Sequence, residues 1–228
     1  MRYQLLIFDW DGTLADSAAM IVGAMQRAIV ALKLPQRPDQ SIRELIGLGL
    51  NDALNRLYPE IDQTHLHSLL NSYRAQWLSE GAGEAPLFTG ALDALRGLHA
   101  GGYRIAIATG KSRRGLNRSL RHHDQLAPLV MSSRTADETA SKPDPLMLSE
   151  LLDEFELEPR QALMIGDTEY DMAMARAIGM HGLGVTCGVH APERLLESGA
   201  EALIEHVGHL PGWLTTRKAA ARTASWPG

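Results

Sequence analysis

Short apolar runs typical of buried strands recur along the chain and alternate with segments whose apolar residues have helical spacing. Strands are predicted at residues 5–8, 103–108, 129–131, 162–165, 181–185 and, more weakly, 202–204. Helices are predicted at residues 91–100, 112–122, 145–155, 169–178 and 192–197. Strand and helix in repetition predict an α/β fold with a doubly wound parallel sheet that is covered on both faces.

One long stretch interrupts the alternation. Between residues 17 and 83 the pattern is helical, with helices expected from Ser17 to about 32, then near 41–45, 50–58 and 62–78. Ser17 is expected to cap the first of them. The stretch predicts a helical cap domain inserted into a Rossmann-like core of residues 1–16 and 84–214, with one joint at its start and another around 81–83. Residues 215–228 lack an apolar face and are expected to form a flexible tail.

Composition narrows the classes of function. The 228 residues carry a formal net charge of −5, which argues against binding to nucleic acid or to an acidic membrane. A single cysteine, Cys187, has no partner for an internal disulfide and favours a reducing compartment. The N-terminus does not resemble a cleavable signal, and no apolar run approaches the roughly 18 residues of a membrane span. A cytoplasmic protein is expected, and the sequence does not indicate its oligomeric state.

Polar residues follow several predicted strands at the point where each strand ends. Asp9 and Asp11 come directly after the first strand, Thr109 and Gly110 after the second, and Asp167 after the fourth. Ligands of open α/β sheets bind beyond the carboxyl ends of the strands. These residues are therefore expected to converge on one site.

Two further residues belong to the same set, although each side chain also has a structural explanation. Lys142 precedes a proline, which restricts its backbone to an extended geometry and fixes the direction of the side chain. Asp171 has capping-box spacing from Thr168, and Thr109 or Ser112 could cap the helix that follows.

Charge favours a functional explanation. The four aspartates bring about four negative charges to one place, and Lys142 brings one positive charge. Two like charges 4 Å apart repel by about 4 kcal/mol at an effective dielectric of 20, so the cluster requires a divalent cation. Ligands that are all oxygen favour Mg²⁺. The sequence therefore predicts a magnesium site that receives a phosphoryl group.

In order and spacing, these residues resemble the four motifs of the haloacid dehalogenase-like hydrolases. The resemblance extends over residues 3–185, includes the helical cap between the first two motifs, and is to the phosphoglycolate phosphatase-like branch. It implies a Mg²⁺-dependent phosphatase that hydrolyses a small phosphorylated metabolite through an aspartyl-phosphate. The motifs are Asp-Trp-Asp-Gly-Thr-Leu at 9–14, Thr-Gly at 109–110, Lys-Pro at 142–143 and Gly-Asp-Thr-Glu-Tyr-Asp at 166–171.

The resemblance also implies a role for each matching residue. Asp9 would be the nucleophile, and Asp11 the general acid and base. Thr109, Gly110 and Lys142 would bind the transferring oxygens. The ligands of Mg²⁺ would be Asp9, Asp11 through its backbone carbonyl, and Asp167. Asp171 would lie outside these ligands and would orient water or Lys142.

In the cap, Arg43 and the loop around Gly47 resemble a segment that approaches substrate in related enzymes. Arg43 could bind a second anionic group bidentately. An equally good explanation is that Gly47 merely joins two helices.

Other activities within the family remain open, namely a pyrophosphatase, a nucleotidase and a sugar-phosphate mutase. Asp11 favours phosphate chemistry, because family dehalogenases lack this acid and phosphonate-cleaving members have a small residue there. A mutase is expected to carry a His and a Lys for its sugar in the cap, where Lys33 is the only lysine. From a different class, a non-catalytic phosphoacceptor or binding protein is the alternative.

Two further patterns have simpler explanations. Gly110-Lys111-Ser112 resembles the end of a nucleotide-binding P-loop, but that motif requires glycine where this chain has Ile105. The basic patch of residues 113–123 is explained as the solvated face of a helix.

Overall fold

The computed structural model of the protein describes residues 3–78 and 83–223, and within these ranges the strands form one six-stranded sheet. The strands are β1 (Leu5–Phe8), β2 (Arg104–Thr109), β3 (Ser132–Thr135), β4 (Ala162–Gly166), β5 (His181–Val185) and β6 (Ala200–Ile204). Their order across the sheet is β3-β2-β1-β4-β5-β6, and every neighbouring pair is parallel. The predicted doubly wound α/β fold is confirmed.

The helices occupy two regions of the chain. Those between β1 and β2 are α1 (Ala18–Ala31), α2 (Asp39–Arg43), α3 (Leu50–Leu57), α4 (Gln63–Leu78) and α5 (Ala91–Ala100). Those after β2 are α6 (Arg113–His122), α7 (Leu146–Phe155), α8 (Glu169–Ala177), α9 (Pro192–Glu197) and α10 (Leu210–Thr223). No described helix is long and apolar enough to cross a membrane.

The core lies on both faces of the central strand β1, whose residues are all buried. Leu6 and Phe8 belong to the hydrophobic cluster on one face, and Leu5 and Ile7 belong to the cluster on the other. This division follows from the alternation of side chains along a strand. Since helices cover both faces, β1 is apolar at every position, and the first polar side chain after it is that of Asp9.

Helices α1 to α4 pack around a hydrophobic cluster of their own, which includes Ile29, Tyr58 and Leu69. This cluster is distinct from the two on the sheet and supports the proposed cap domain. Of the second predicted joint, residues 81 and 82 lie outside the described residues.

The predicted tail is wrong for residues 215–223, which continue the helix α10. Leu214 is buried in the core, and Arg217 forms an ion pair of 2.6 Å with Glu201 of β6. Arg217 also donates to the hydroxyl of Tyr3 at 3.1 Å. These contacts hold the helix against the sheet although it lacks a continuous apolar face. Residues 224–228 of the predicted tail lie outside the described residues.

The third strand also differs from its prediction. The apolar run at residues 129–131 was expected to form it, but β3 begins at Ser132, and Met131 is half exposed. The sequence of β3, Ser-Ser-Arg-Thr, is polar because this strand lies at one edge of the sheet. Hydrophobic pattern therefore does not locate it.

Candidate active site

The ends of three adjacent strands bring the predicted site residues together. Asp9 follows β1, Thr109 ends β2 and Asp167 follows β4, and β1 lies between the other two. The backbone N–H of Asp9 donates to the carbonyl of Ile165 at 2.9 Å, which continues the pairing of β1 and β4 to this point. All three site residues are buried.

Three buried carboxylates face one another here. Asp9, Asp167 and Asp171 each offer an oxygen, and these oxygens lie within 4.8 Å of one another. The Nζ of Lys142 lies 2.7 Å from Oδ1 of Asp9 and 2.6 Å from Oδ1 of Asp171. The predicted convergence of Asp9 and Asp167 with Lys142 and Asp171 is therefore present in the structure.

Asp171 serves the helix and the cluster at once. Its Oδ2 accepts from the Thr168 hydroxyl at 2.6 Å and from the Thr168 N–H at 3.2 Å, while its own N–H donates to the Thr168 hydroxyl oxygen at 3.3 Å. This is the capping box of α8. Its other oxygen, Oδ1, is the one that contacts Lys142. The capping explanation of Asp171 is confirmed, and capping through Oδ2 leaves Oδ1 available to the cluster.

Asp167 is held from two sides. The Thr13 hydroxyl donates to its Oδ1 at 2.8 Å, and the N–H of Val189 donates to its Oδ2 at 2.9 Å. Glycine is required on either side of it, because a Cβ at Gly12 or at Gly188 would lie 2.2 or 2.1 Å from Asp167 Oδ2. Gly12 also has a φ of +83°, which other residues rarely adopt.

Burial and mutual repulsion set the electrostatics of the cluster. Burial raises the pKa of Asp9 well above its usual range, and the charges of Asp171 and Asp167 raise it further against the effect of Lys142. Burial, and then Asp171, raise the pKa of Asp167 to about 7. Burial would lower the pKa of Lys142, but Asp171 and Asp9 outweigh it and raise that pKa above its ordinary value.

This donor set fits a hard divalent cation. Asp9 Oδ2 is buried and has no hydrogen-bond partner within the described residues. An unsatisfied carboxylate oxygen in the interior is expensive, and a bound cation offsets that expense. Since the ligands at hand are carboxylate oxygens, Mg²⁺ matches them better than a metal that prefers sulfur or imidazole.

The carboxylate of Asp11 does not join the three others. Its Oδ1 lies 3.0 Å from the Nζ of Lys111 and accepts from the Ser17 hydroxyl at 2.6 Å. Ser17 does hold the N-cap position of α1, but its hydroxyl makes no capping hydrogen bond. The predicted capping by Ser17 is therefore wrong. Its backbone, at φ −105° and ψ −8°, is helical instead of extended as a capping residue usually is, and its hydroxyl donates to Asp11. The predicted contribution of Asp11 to a metal site is through its backbone carbonyl, so it does not depend on this carboxylate.

Thr109 and Gly110 lie at the end of β2, directly before Lys111 in the sequence. Thr109 is fully buried, and its hydroxyl oxygen accepts from the N–H of Lys111 at 3.2 Å. A Cβ at Gly110 would lie 2.5 Å from the carbonyl oxygens of Gly47 and Leu48 in the cap. Glycine at 110 therefore allows the cap loop to approach the end of β2.

A cavity of about 660 Å³ lies between the cap helices and the strand ends, and Asp9 and Asp11 are in its wall. Gly47 also lines the cavity, and its role in substrate specificity stays a prediction. Arg43 is not among the lining residues, and its predicted role in specificity has no support from the cavity. The cations in the wall are instead Arg74, Lys111, Arg114, Arg118 and Arg121.

Several of these residues were missed by sequence reasoning. Lys111 was set aside with the P-loop resemblance, although a lysine directly after the Thr-Gly motif was a usable signal. Arg114, Arg118 and Arg121 belong to the patch explained as a solvated helix face, and in the structure they are part of the cavity wall as well. Nothing in the sequence indicated that Arg74, from the cap, would face the same space.

Comparison with known proteins adds an independent line of evidence. Residues 6–185 match the sequence profile of the haloacid dehalogenase-like hydrolases. The chain belongs to this family. The family resemblance read from the four motifs is thereby confirmed.

Individual relatives span nearly the whole chain. The "Probable phosphatase IndB" of Dickeya dadantii is 29% identical and covers 91% of this chain and 92% of its own length. The phosphoglycolate phosphatase of Rhodospirillum rubrum is 29% identical, over 92% of this chain and 90% of its own. A solved haloacid dehalogenase-like hydrolase structure from Bacteroides fragilis has a TM-score of 0.84 at 28% identity and covers 91% of this chain and 99% of its own.

Proposed function

We propose that this protein is a Mg²⁺-dependent phosphatase that hydrolyses a small, phosphoglycolate-like phosphate monoester through an aspartyl-phosphate on Asp9. The observation that carries the proposal is the pair of buried Asp9 oxygens. Oδ1 contacts Lys142, while Oδ2 is without a partner in the described part of the chain and the residue lines the cavity. Relatives named a probable phosphatase and a phosphoglycolate phosphatase support the reaction class.

In this proposal Asp9, Asp167 and the backbone carbonyl of Asp11 would hold Mg²⁺. When bound, the ion supplies positive charge that offsets the repulsion between the carboxylates and the phosphoryl group. Lys142 adds a second positive charge beside Asp9, and Thr109 and the N–H of Gly110 bind the transferring oxygens.

The two chemical steps use Asp9 and Asp11. A carboxylate oxygen of Asp9 attacks phosphorus, the bond from phosphorus to the ester oxygen breaks, and Asp11 gives its proton to that oxygen. Asp11 then takes a proton from water, whose oxygen attacks the phosphorus of the aspartyl-phosphate. The bond from phosphorus to the Asp9 oxygen breaks, inorganic phosphate leaves, and both aspartates return to their starting states.

Closure of the cap would keep other water away while the ester is positioned. The substrate is a small phosphorylated metabolite, and neither nucleic acid nor membrane takes part. A reducing compartment suits the single cysteine, so a cytoplasmic location is part of the proposal.

The test is phosphate release from phosphoglycolate and a panel of phosphate monoesters by the purified chain, with Mg²⁺ or with a chelator. We expect the protein to release phosphate with Mg²⁺ present and not with the chelator present. Asp9→Asn is expected to lower turnover at least about a thousandfold because an amide is a poor nucleophile, with an unchanged circular dichroism spectrum. Asp16→Asn, the same change at an exposed aspartate, is the matched control and should leave the rate unchanged.

Wild-type turnover in Asp9→Asn would reject Asp9 as the nucleophile. Failure of every phosphate ester to react in the presence of Mg²⁺ would reject the phosphatase function and favour a non-catalytic binding protein.

A further inference from the structure

The cavity is larger than a two-carbon acid phosphate requires. Its volume of about 660 Å³ falls within the range of about 300–1,000 Å³ that holds drug-sized ligands. A phosphoryl group with two further carbons would leave most of this space to water. The volume therefore leaves room for a longer leaving group.

Much of the wall on the cap side is apolar. Met25 of α1, Leu54 of α3 and Leu70 of α4 line the cavity. Tyr73 and Trp77 of α4 line it as well, and their rings are stacked with centroids 6.1 Å apart. Because covering apolar surface stabilises a complex by about 25 cal/mol per Å², this wall favours a leaving group with an apolar body.

Three arginines of the wall have no ionic or hydrogen-bonding partner among residues 3–78 and 83–223. They are Arg74 of α4 and Arg114 and Arg121 of α6, and all three are exposed. Arg114 and Arg121 lie seven residues apart, which places them on the same face of their helix. Because exposed side chains line the cavity at these points, the arginines lie where it opens to solvent.

The other cations of the site are already engaged. Lys111 contacts Asp11 at 3.0 Å, and Arg118 contacts Glu84 at 2.7 Å. Besides Asp9 and Asp11, two acids line the cavity, Asp52 and Asp137. Asp137 accepts from the Thr135 hydroxyl and from the Arg113 N–H, each at 2.8 Å. Positive charge therefore exceeds negative charge at the open end.

On these grounds, and resting on the proposed phosphatase reaction but not on phosphoglycolate as its substrate, we propose for this cavity a substrate class larger than the phosphoglycolate-like esters. The substrate is a phosphate monoester whose leaving group has an apolar, ring-sized body and ends in a second anionic group. The phosphoryl group lies at Asp9, the apolar body lies against α1, α3 and α4, and the second anion binds at the open end lined by Arg74, Arg114 and Arg121. Guanidinium groups suit this role because they bind carboxylate or phosphate bidentately.

Three substrates with alkyl leaving groups separate the effect of the second negative charge from the effect of leaving-group size. They are the phosphate ester of 4-(hydroxymethyl)benzoate, the phosphate ester of 4-(hydroxymethyl)benzamide, and phosphoglycolate. We expect kcat/KM for the benzoate ester to exceed that for the uncharged benzamide ester at least about tenfold, as a charge-assisted hydrogen bond allows. The benzoate ester is also expected to exceed phosphoglycolate at least about tenfold.

Variants connect the preference to the arginines. In the triple variant Arg74→Gln, Arg114→Gln, Arg121→Gln, the ratio of the benzoate to the benzamide ester should fall towards one. Arg160→Gln removes an exposed arginine that does not line the cavity, and its ratio should equal that of the wild type.

Each outcome decides a separate point. A wild-type ratio near one, or a ratio unchanged in the triple variant, overturns the anionic subsite while leaving the phosphatase function intact. Phosphoglycolate as the best of the three substrates overturns the larger leaving group. If no ester releases phosphate with Mg²⁺, the phosphatase function fails and this inference fails with it.

Discussion

The ammonium nitrogen of Lys111 lies 3.0 Å from Oδ1 of Asp11. The same nitrogen lies 5.2 Å from the centroid of the Trp77 ring on the cap helix α4. Lys111 therefore touches the proposed acid and base of the core on one side and the cap on the other. Both side chains of the ion pair are about one-tenth exposed, so solvent screens their attraction only weakly.

Lys111→Met should lower kcat/KM about 10- to 100-fold, because Asp11 loses the cation that orients its carboxylate. Lys111→Arg, which keeps the charge, should recover part of the loss. Steady-state kinetics on one ester measure all three proteins. Lys33→Met, at an exposed lysine of the cap, is the control. Wild-type kcat/KM in Lys111→Met, or no recovery in Lys111→Arg, would exclude the positioning role.

Lys142→Met should destabilise the protein by about 3–5 kcal/mol, because Asp9 and Asp171 stay buried without their cation. Urea denaturation in the presence of chelator measures the free energy of unfolding. Mg²⁺ should restore part of the stability, since it neutralises the same carboxylates.

The control is Arg96→Met, which removes an exposed pair with Asp93 and should lose less than about 1 kcal/mol. Equal losses of unfolding free energy in the two variants would show that the buried ion pairs of Lys142 stabilise the protein no more than the exposed pair does.

Gly110→Ala should lower kcat/KM at least about tenfold. The added Cβ would lie 2.5 Å from the carbonyl oxygens of Gly47 and Leu48, so the cap loop must move away from the strand end. Gly97→Ala is the matched change in α5, where a Cβ meets nothing within 4 Å. It should leave the kinetics unchanged and stabilise the protein by about 0.5–1 kcal/mol. Normal kinetics in Gly110→Ala would mean that the cap does not approach Gly110 during turnover.

Cys187 should react slowly with iodoacetamide at pH 8. Burial, and then the charge of Asp167, raise the pKa of this thiol to about 12. Compared with a free cysteine of pKa about 8.5, its thiolate fraction is roughly a thousandfold lower, and higher intrinsic nucleophilicity offsets part of this difference. We therefore expect Cys187 to react with iodoacetamide up to about a hundredfold more slowly than free cysteine.

Since the thiol stays protonated below pH 12, the labelling rate of the native protein should rise about tenfold per pH unit between pH 7 and 9. The rate for free cysteine levels off above its own pKa. Mass spectrometry follows the reaction, and urea-unfolded protein provides the reference. Native labelling as fast as in urea would contradict the raised pKa.

Sequence reasoning located the elements that are apolar on at least one face. β5, α5 and α9 have the predicted bounds, and β4 extends its prediction by one residue. The largest differences are at β3 and at the end of α10, which depend on contacts between distant residues. Arg217 and Glu201, for example, are 16 residues apart, and nothing in either segment signals their pairing.

The site shows the same limit. The four motifs indicated where Asp9, Thr109, Lys142 and Asp167 would lie, because polar residues at the ends of parallel strands converge by topology. The partners of Asp11 were not indicated. Lys111 reaches Asp11 from another strand end, and Ser17 has a common structural use as a helix cap. The choice between these uses depends on the packed structure.

The polar strand β3 has a consequence beyond locating the edge of the sheet. An edge strand exposes unpaired N–H and C=O groups, onto which a strand of another molecule can add. Arg134 of β3 is held by Glu150 at 2.6 Å and by Glu154 at 2.9 Å. Charged groups fixed along this edge hinder such addition. The polar residues that made β3 unrecognisable from the hydrophobic pattern therefore also act against aggregation through this edge.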